Sequence, residues 1–433
     1  MKVFTYPSKS AEKKILSIAD RSIDFDKQDI TNVTRIVEDI KKNKDKALIK
    51  YINRFDSPNL KIDSLKVTRE EFQAATNMVG KPFLRSLNLA ATQIKTYHKQ
   101  QLRKSWIDTN RPGTLVGQLI NPVDAAGIYV PGGKGGNTPL ISSVLMGAIP
   151  AKIAGVKKII MSTPSTSDGT VNPHLIVAAK KVGIKNIYKA GSAWAIAALA
   201  YGTETIPKVD MIAGPGNIYV TLAKKILAGT VGIDMIAGPS EILIIADHCA
   251  NPKFIAADLL SQAEHDPLAS SILVTDSKEI ATTVSLEVKK QLSNLDRQEI
   301  AKNSINKYGA IMVTQDIFTA IELSNRIAPE HLELHIQNPF DYIGMIKNAG
   351  AVFIGDYTPE PVGDYIAGPN HVLPTAGTAR FSSALSVDNF IKKTSLIHYS
   401  KEAFQKEAKD IINLSKLEGL DGHTNSIKIR MQT

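Results

Sequence analysis

The apolar positions change their period along the chain. Early on they recur at helical spacing, with Val33, Ile36, Val37 and Ile40 sharing one helix face. The stretch "TREE" at 68–71 has the capping-box spacing that opens a further long helix. From about residue 125, short apolar runs alternate with helical stretches. The pairs are "AAGIYV" and "LISSVLMGAIPAKIAG", "KKIIMST" and "NPHLIVAAKKVG", "NIYKAG" and "AWAIAALAYG", "VDMIAG" and "NIYVTLAKKILAG". Asn172 suits an N-cap, Pro173 the first helical position and Gly183 a helix end. A second series follows: "EILIIAD", a helix opened at Asn251, "SSILVTD", a helix over 278–292, "GAIMVTQ", a helix running into "NRIAPEH", and "AGAVFIGD". Such alternation implies parallel sheet with helices on both faces. The fold expected is α/β, with two Rossmann-like (incomplete) α/β domains, mainly parallel sheets, and small helical N- and C-terminal segments. In the last of these, from about residue 386, Phe404, Ala408, Ile411 and Ile412 form the apolar face.

"RIAPEHLELH", Arg326 to His335, breaks the helical period. Pro329 disfavours the α conformation at Ala328. Beyond it Leu332, Leu334 and Ile336 alternate with Glu333 and His335, the two-residue period of a half-buried strand. Glu330 and His331 then have two readings. They mark a helix end, or they form an acid/base pair at an element boundary, where functional side chains often sit.

Composition narrows the field. The chain has 433 residues, 43% hydrophobic and 22% charged, which is globular and long enough for two or three domains. No apolar run approaches a bilayer span. The opening stretch "MKVFTYPSKSAEKK" lacks the apolar core of a secretory signal, so a cytoplasmic location is expected. The formal net charge is +10, but the lysines are scattered and no arginine–aromatic cluster or nucleic-acid motif is present. A solvated basic surface that attracts anionic ligands such as dinucleotides is the expectation. Cys249 is the single cysteine, which excludes an intrachain disulfide and a multi-thiolate zinc site.

Several stretches have the residue types of a binding site. Two glycine-rich turns follow expected strands, "YVPGGKGGNTP" and "AGPGNIYV". Neither is a G-x-G-x-x-G fingerprint or a P-loop, so each is a cofactor turn or simply a tight turn. Gln262 and His265 in "LLSQAEHDP" share a helix face if the helix runs that far. Asp364 and His371 lie in the Gly/Pro-rich "PVGDYIAGPNHVLPT", and Glu418 and His423 in "LEGLDGHTNS". Structural roles suit each of these, and no single spacing is a self-sufficient metal motif. His331 and His335 are four apart, yet the strand-like alternation argues against a helical zinc pair.

Together the fragments "GIYVPGG", "GPGNIYVT", "AGPSEILIIAD", "DLLSQAEHDP", "APEHLEL", "GDY" with "GPNHVLPT", and "GHTNSI" resemble histidinol dehydrogenase, in order and in register from about residue 30 onward. The resemblance implies a zinc- and NAD-dependent enzyme of histidine biosynthesis that oxidises L-histidinol through histidinal to L-histidine with two NAD+. It implies Gln262, His265, Asp364 and His423 as ligands of one Zn2+ per subunit, and Glu330 and His331 as the acid/base pair. It implies substrate contacts from Ser240, His371 and Glu418, joined by the ligand residues and His331. Tyr129, Trp194 and Asn217 fall at cofactor positions. In the family the C-terminal segment crosses to the partner, so Glu418 and His423 would complete a neighbour's site in a homodimer. The organisation implied is an N-terminal segment 1–25, a catalytic domain from 26–128 and 238–385, a cofactor-binding domain 129–237 and a dimerisation segment 386–433.

One position departs from the family pattern. In "AGSAWAIAALA" the family commonly has glutamine where this chain has Trp194. Tryptophan can only stack or donate through its indole N–H, so it either lies against NAD or belongs to the core. Three rival readings remain open: a paralogous zinc/NAD dehydrogenase of another small amino or sulfo alcohol, a zinc hydrolase using Glu330, and a non-catalytic nucleotide-binding or structural protein.

Overall fold

The alternating runs form two parallel sheets in this computed structural model, which describes residues 1–19, 25–133 and 138–432. The six-stranded sheet has the order Val3–Thr5, Ala310–Val313, Ser270–Thr275, Glu241–Ala246, His331–His335, Ala351–Ile354, every pair parallel. The five-stranded sheet runs Asn186–Lys189, Lys158–Thr163, Ala125–Tyr129, Met211–Ala213, Gly232–Ile233, also parallel throughout. The N-terminal segment is helical over Lys9–Ala19, as expected, but it begins with an edge strand too short to show a period.

Burial on both faces explains the near-continuous apolar runs. Along Glu241–Ala246, Ile242, Ile244 and Ala246 face one helical layer with Leu259 and Val284. Leu243 and Ile245 face the other, with Ile15, Ile321 and Leu334. Each such Ile or Leu contributes about 1.5–3 kcal/mol by leaving water. Helical residues between Lys27 and Phe55, broken at Lys44 where φ is 47°, set Val33, Val37, Ile40, Leu48 and Ile52 into the core around the five-stranded sheet. The caps read from the sequence are present. Thr68 Oγ1 accepts the Glu71 N–H at 3.2 Å while Glu71 Oε2 accepts the Thr68 N–H at 2.7 Å. Asn172 Oδ1 accepts the His174 N–H at 3.0 Å, and the helix Pro173–Val182 ends at Gly183 in the left-handed conformation.

The chain separates into two compact units whose boundaries differ from those implied above. Both parallel sheets lie in the unit formed by Met1–Gln101 and Asp124–Phe390, while Leu102–Val123 joins Ile391–Thr433 in the other. That second unit is not purely helical, which corrects the expected appendage. Ile391–Tyr399 pairs antiparallel with Thr114–Pro122, which also pairs with Trp106–Asp108. "IKKTSLIHY" has no clean alternation and its partner is remote in sequence, so nothing local signalled a strand. Helices Lys401–Leu417 and Asp421–Met431 follow. Ala408 of the expected apolar face is buried, and Phe404, Ile411 and Ile412 are half-buried.

Candidate active site

The two sheets bring opposite edges to one cavity. Ser240 and Glu330 immediately precede strands of the six-stranded sheet, so they stand at its amino edge. Gly214 follows Met211–Ala213 at the carboxyl edge of the five-stranded sheet. A cavity of about 160 Å³ is lined by Gly214, Gly216, Ser240, Glu330 and His371. His371 also lines a second cavity of about 370 Å³, together with Tyr97, Phe353 and Asp364.

The 326–335 stretch is both a helix end and a cluster of titratable groups. The helix Ile317–Ile327 stops at Ala328, whose φ of 55° and ψ of 62° are left-handed rather than extended. The strand His331–His335 is wholly buried, not half-buried. Leu332 and Leu334 enter the apolar core. His331, Glu333 and His335, on the opposite face, are only 3%, 0% and 2% exposed. Polar groups from elsewhere cover that face, which is why its period looked like that of a solvated strand. His335 pairs with Glu333 at 3.3 Å and Asp356 at 3.2 Å, and lies 3.7 Å from Asp258. Glu333 Oε1 accepts the Glu360 backbone N–H at 2.9 Å.

His331 Nδ1 lies 3.0 Å from the Glu241 carbonyl oxygen, an acceptor only, so Nδ1 carries the proton and donates. Nε2 therefore holds the lone pair, 3.8 Å from Glu360 Oε1. Glu330 Oε2 is 3.8 Å from His331 Nδ1 and accepts the Glu241 N–H at 3.0 Å. Burial pushes the Glu330 carboxyl up to about 8; His331 and the Glu241 N–H oppose that, and Glu360 adds to it. Burial, with the fields of Asp364, Glu333 and Asp258, also raises Glu360 well above the usual carboxylate range.

Donor atoms for a metal gather beside this pair. Atoms of His331, Glu360 and Asp364 lie within 4.8 Å of one another. Asp364 sits on a π-type turn, Gly363–Ala367, of the kind often found at functional sites. The helix Pro252–Ala263 ends before His265, so Gln262 and His265 do not share a regular helix; a bond from the His265 N–H to the Gln262 carbonyl at 3.3 Å continues the turn. His265 stands outside the 4.8 Å set and its residue surface is exposed. Desolvation of its ring still lowers its pKa, and Asp364 pulls it back up. Gln262 is fully buried, yet neither atom of its amide has a hydrogen-bond partner among the described residues. Glu360 Oε2 and His371 Nε2 are likewise buried without one. Orphaned polar atoms of this kind cost about 1–3 kcal/mol each and call for an occupant. An oxygen- and nitrogen-rich donor set without thiolate fits a divalent metal such as zinc.

On the other side of the cavity the contribution is mainly backbone. Gly214 has φ 128°, and a Cβ there would come within 2.0 Å of the Tyr129 carbonyl oxygen. Asn217 caps the helix Ile218–Leu227 through its side-chain oxygen, 3.2 Å from the Val220 nitrogen, and is itself exposed. Tyr129 is buried, which raises its phenol pKa, and its hydroxyl accepts the Ser192 N–H at 3.0 Å. The first glycine-rich turn lies partly at 134–137, outside the described residues. Trp194 is 6% exposed, stacked on Tyr51 and Phe55 at 6.1 and 5.4 Å between centroids. Its indole N–H donates to Asp56 Oδ2 at 3.1 Å, and the same oxygen accepts the Gly191 N–H at 3.2 Å. The indole thus has the core role, and it lines neither cavity.

Glu418 and His423 belong to the second unit, where both are exposed. Sequence reading missed Glu360, Glu333, Asp258, Glu241 and the pair Lys224 and Asp234. The available signals were weak: a carboxylate four residues before Asp364, and an acidic residue opening the strand run at Glu241.

Known relatives of the chain place it in a family. The family model described as histidinol dehydrogenase matches residues 20–431. A histidinol dehydrogenase of Desulfotalea psychrophila is 53% identical over 400 residues, 92% of each chain. One of Clostridium acetobutylicum is 51% identical over 425 residues, covering 98% of this chain and 97% of its own. The crystal structure of histidinol dehydrogenase from Elizabethkingia anophelis superposes with a TM-score of 0.93 at 39% identity, over 100% of this chain and 98% of the other. The polar strand face, the orphaned amide and the glycine turn stand on a chain that belongs to the histidinol dehydrogenase family of oxidoreductases.

Proposed function

We propose that the protein oxidises L-histidinol through histidinal to L-histidine, the last step of histidine biosynthesis, consuming two NAD+ and one water. The observation that carries this reading is the fully buried Gln262 amide with both atoms unsatisfied, one turn from His265, whose ring feels the charges of Asp364 and His331. Gln262, His265 and Asp364 would hold zinc, with His423 from a second copy. Held by these residues, a zinc ion would supply a Lewis acid and a template for the amino alcohol. Bound NAD+ would supply the hydride acceptor for each oxidation.

The chain's own groups supply the proton chemistry. His331 takes the carbinol proton at Nε2, while the Glu241 carbonyl keeps the opposite nitrogen protonated. Glu330 and Glu360, each 3.8 Å away, flank the imidazole. Glu330, made more basic by burial, activates the water that hydrates the aldehyde before the second oxidation. His371 and Ser240 border the Glu330 cavity and would meet the substrate's polar groups. Tyr129 and Asn217 flank the cofactor, and Trp194 acts behind them through Asp56 and the 191–192 backbone. In this reading the six-stranded sheet, with 238–385, carries the catalysis, and 129–237 binds the cofactor.

A homodimer with shared sites, in the cytoplasm, completes the proposal. What supports it is the apolar surface of the second unit, with Leu417 85%, Ile397 71% and Leu414 63% exposed. Among the described residues no helix is long and apolar enough to cross a membrane. The test is metal analysis together with NADH yield. One zinc per chain and two NADH per histidinol are expected. Release of aldehyde with one NADH would favour a paralogous alcohol dehydrogenase, and turnover without nicotinamide a hydrolase.

A further inference from the structure

A buried ion pair grips the glycine turn at the cofactor side of the cavity. Lys224 and Asp234 pair at 2.6 Å, their side chains only 4% and 0% exposed. Both also hold the same residue. Lys224 Nζ donates to the Gly214 carbonyl at 2.6 Å, and Asp234 Oδ2 accepts the Gly214 N–H at 2.8 Å. Asp234 Oδ1, besides receiving Lys224, accepts the Met235 N–H at 2.7 Å. Gly214 is also the residue whose φ of 128° and approach to the Tyr129 carbonyl admit no side chain. Its peptide groups are therefore fixed from both ends by charged partners rather than by a sheet ladder. Lys224, Asp234, Gly214 and Gly216 line the same cavity as Ser240, Glu330 and His371.

A buried ion pair is a poor way to gain stability, because desolvation offsets most of the attraction. What the pair does provide is orientation. A turn held by two short charge-assisted bonds has its backbone groups set before a ligand arrives, which limits the ordering cost of binding.

We propose that Lys224 and Asp234 are positioning residues that lock the 214–216 turn, and thereby seat the reactive end of the nicotinamide cofactor opposite Glu330 and His331. This rests on the dehydrogenase reading above. The pair acts through the turn and has no part in proton transfer.

The test uses the full-length, zinc-loaded enzyme. Lys224→Met alone strands a buried carboxylate, so the informative variant replaces both partners, Lys224→Met with Asp234→Leu, which leaves no unpaired buried charge. Expected are a cooperatively folded enzyme with a melting temperature several degrees below wild type, since the Gly214 and Met235 peptide groups lose partners, an NADH dissociation constant raised at least tenfold by calorimetric titration, and a similar rise in KM for NAD. KM for histidinol should be unchanged, and Lys224→Arg should recover most of the NADH affinity. A merely structural role would lower the active fraction and leave both KM values alone. Wild-type NADH affinity in the folded double variant, or equal rises in both KM values, overturns the proposal while the dehydrogenase reading stands. Failure of the wild type to reduce NAD with histidinol overturns the reading and the proposal with it.

Discussion

The two parallel sheets meet the same cavity from opposite ends. The five-stranded sheet offers its carboxyl edge, where ligands of open α/β sheets usually bind, and it offers backbone: a glycine turn and a helix start. The six-stranded sheet offers its amino edge and contributes side chains: Ser240 and Glu330 border the cavity just before neighbouring strands, with His331 next to Glu330 in the chain. The difference follows from what each edge must do. Holding a cofactor takes close approach and preset peptide groups. Moving protons, as proposed for His331, takes ionisable side chains whose surroundings set their basicity, and the polar face of His331–His335 is buried among such groups.

Three substitutions separate the two edges. The largest effect is expected from His331→Asn, which removes the proton acceptor and keeps a donor for the Glu241 carbonyl. Its kcat for histidinol oxidation should fall about 10²–10⁴-fold, with NADH affinity and zinc content as in wild type. Lost NADH binding would show that the division of labour is wrong. Gly214→Ala is the mirror experiment: strain of about 1–3 kcal/mol, added to the clash with Tyr129, should weaken NADH binding about 10–100-fold and leave histidinol binding intact. Equal weakening of both ligands would break the comparison.

The smallest effect is in the pH profile. Glu330 is raised from 4.5 to about 8, so its basic form appears only as pH rises toward 8. Oxidation of added histidinal should therefore quicken between pH 6 and 8, by about tenfold per unit at the acid end, and Glu330→Gln should abolish that slope. The stability sign is the reverse. A buried carboxyl with a raised pKa stabilises the fold below 4.5 and loses that contribution as pH rises through 8. Glu330→Gln should thus melt at a higher temperature than wild type at pH 9 and show little difference at pH 4. A constant offset across the range would remove Glu330 as the titrating group.

The sequence made some of this legible and hid the rest for identifiable reasons. The parallel sheets, the caps at Thr68 and Asn172 and the glycine turn follow from local chemistry, which short motifs report well. The strand Ile391–Tyr399 was hidden because its partner, Thr114–Pro122, is far away in the chain. The polar face of 331–335 was visible as a period, but alternation cannot say whether water or other carboxylates cover it; only Asp258, Asp356 and Glu360 arriving from elsewhere decide that. For Trp194 the sequence offered two roles and no way to choose, and the stack on Tyr51 and Phe55 supplied the core one.

The most direct test of the meeting of the two edges follows isotope from substrate to cofactor. With histidinol bearing two deuterium atoms on its carbinol carbon, both should be recovered in NADH, one in each of two molecules per histidine formed. Recovery in solvent, or in one NADH only, would contradict a carbinol carbon held against the cofactor through both oxidations.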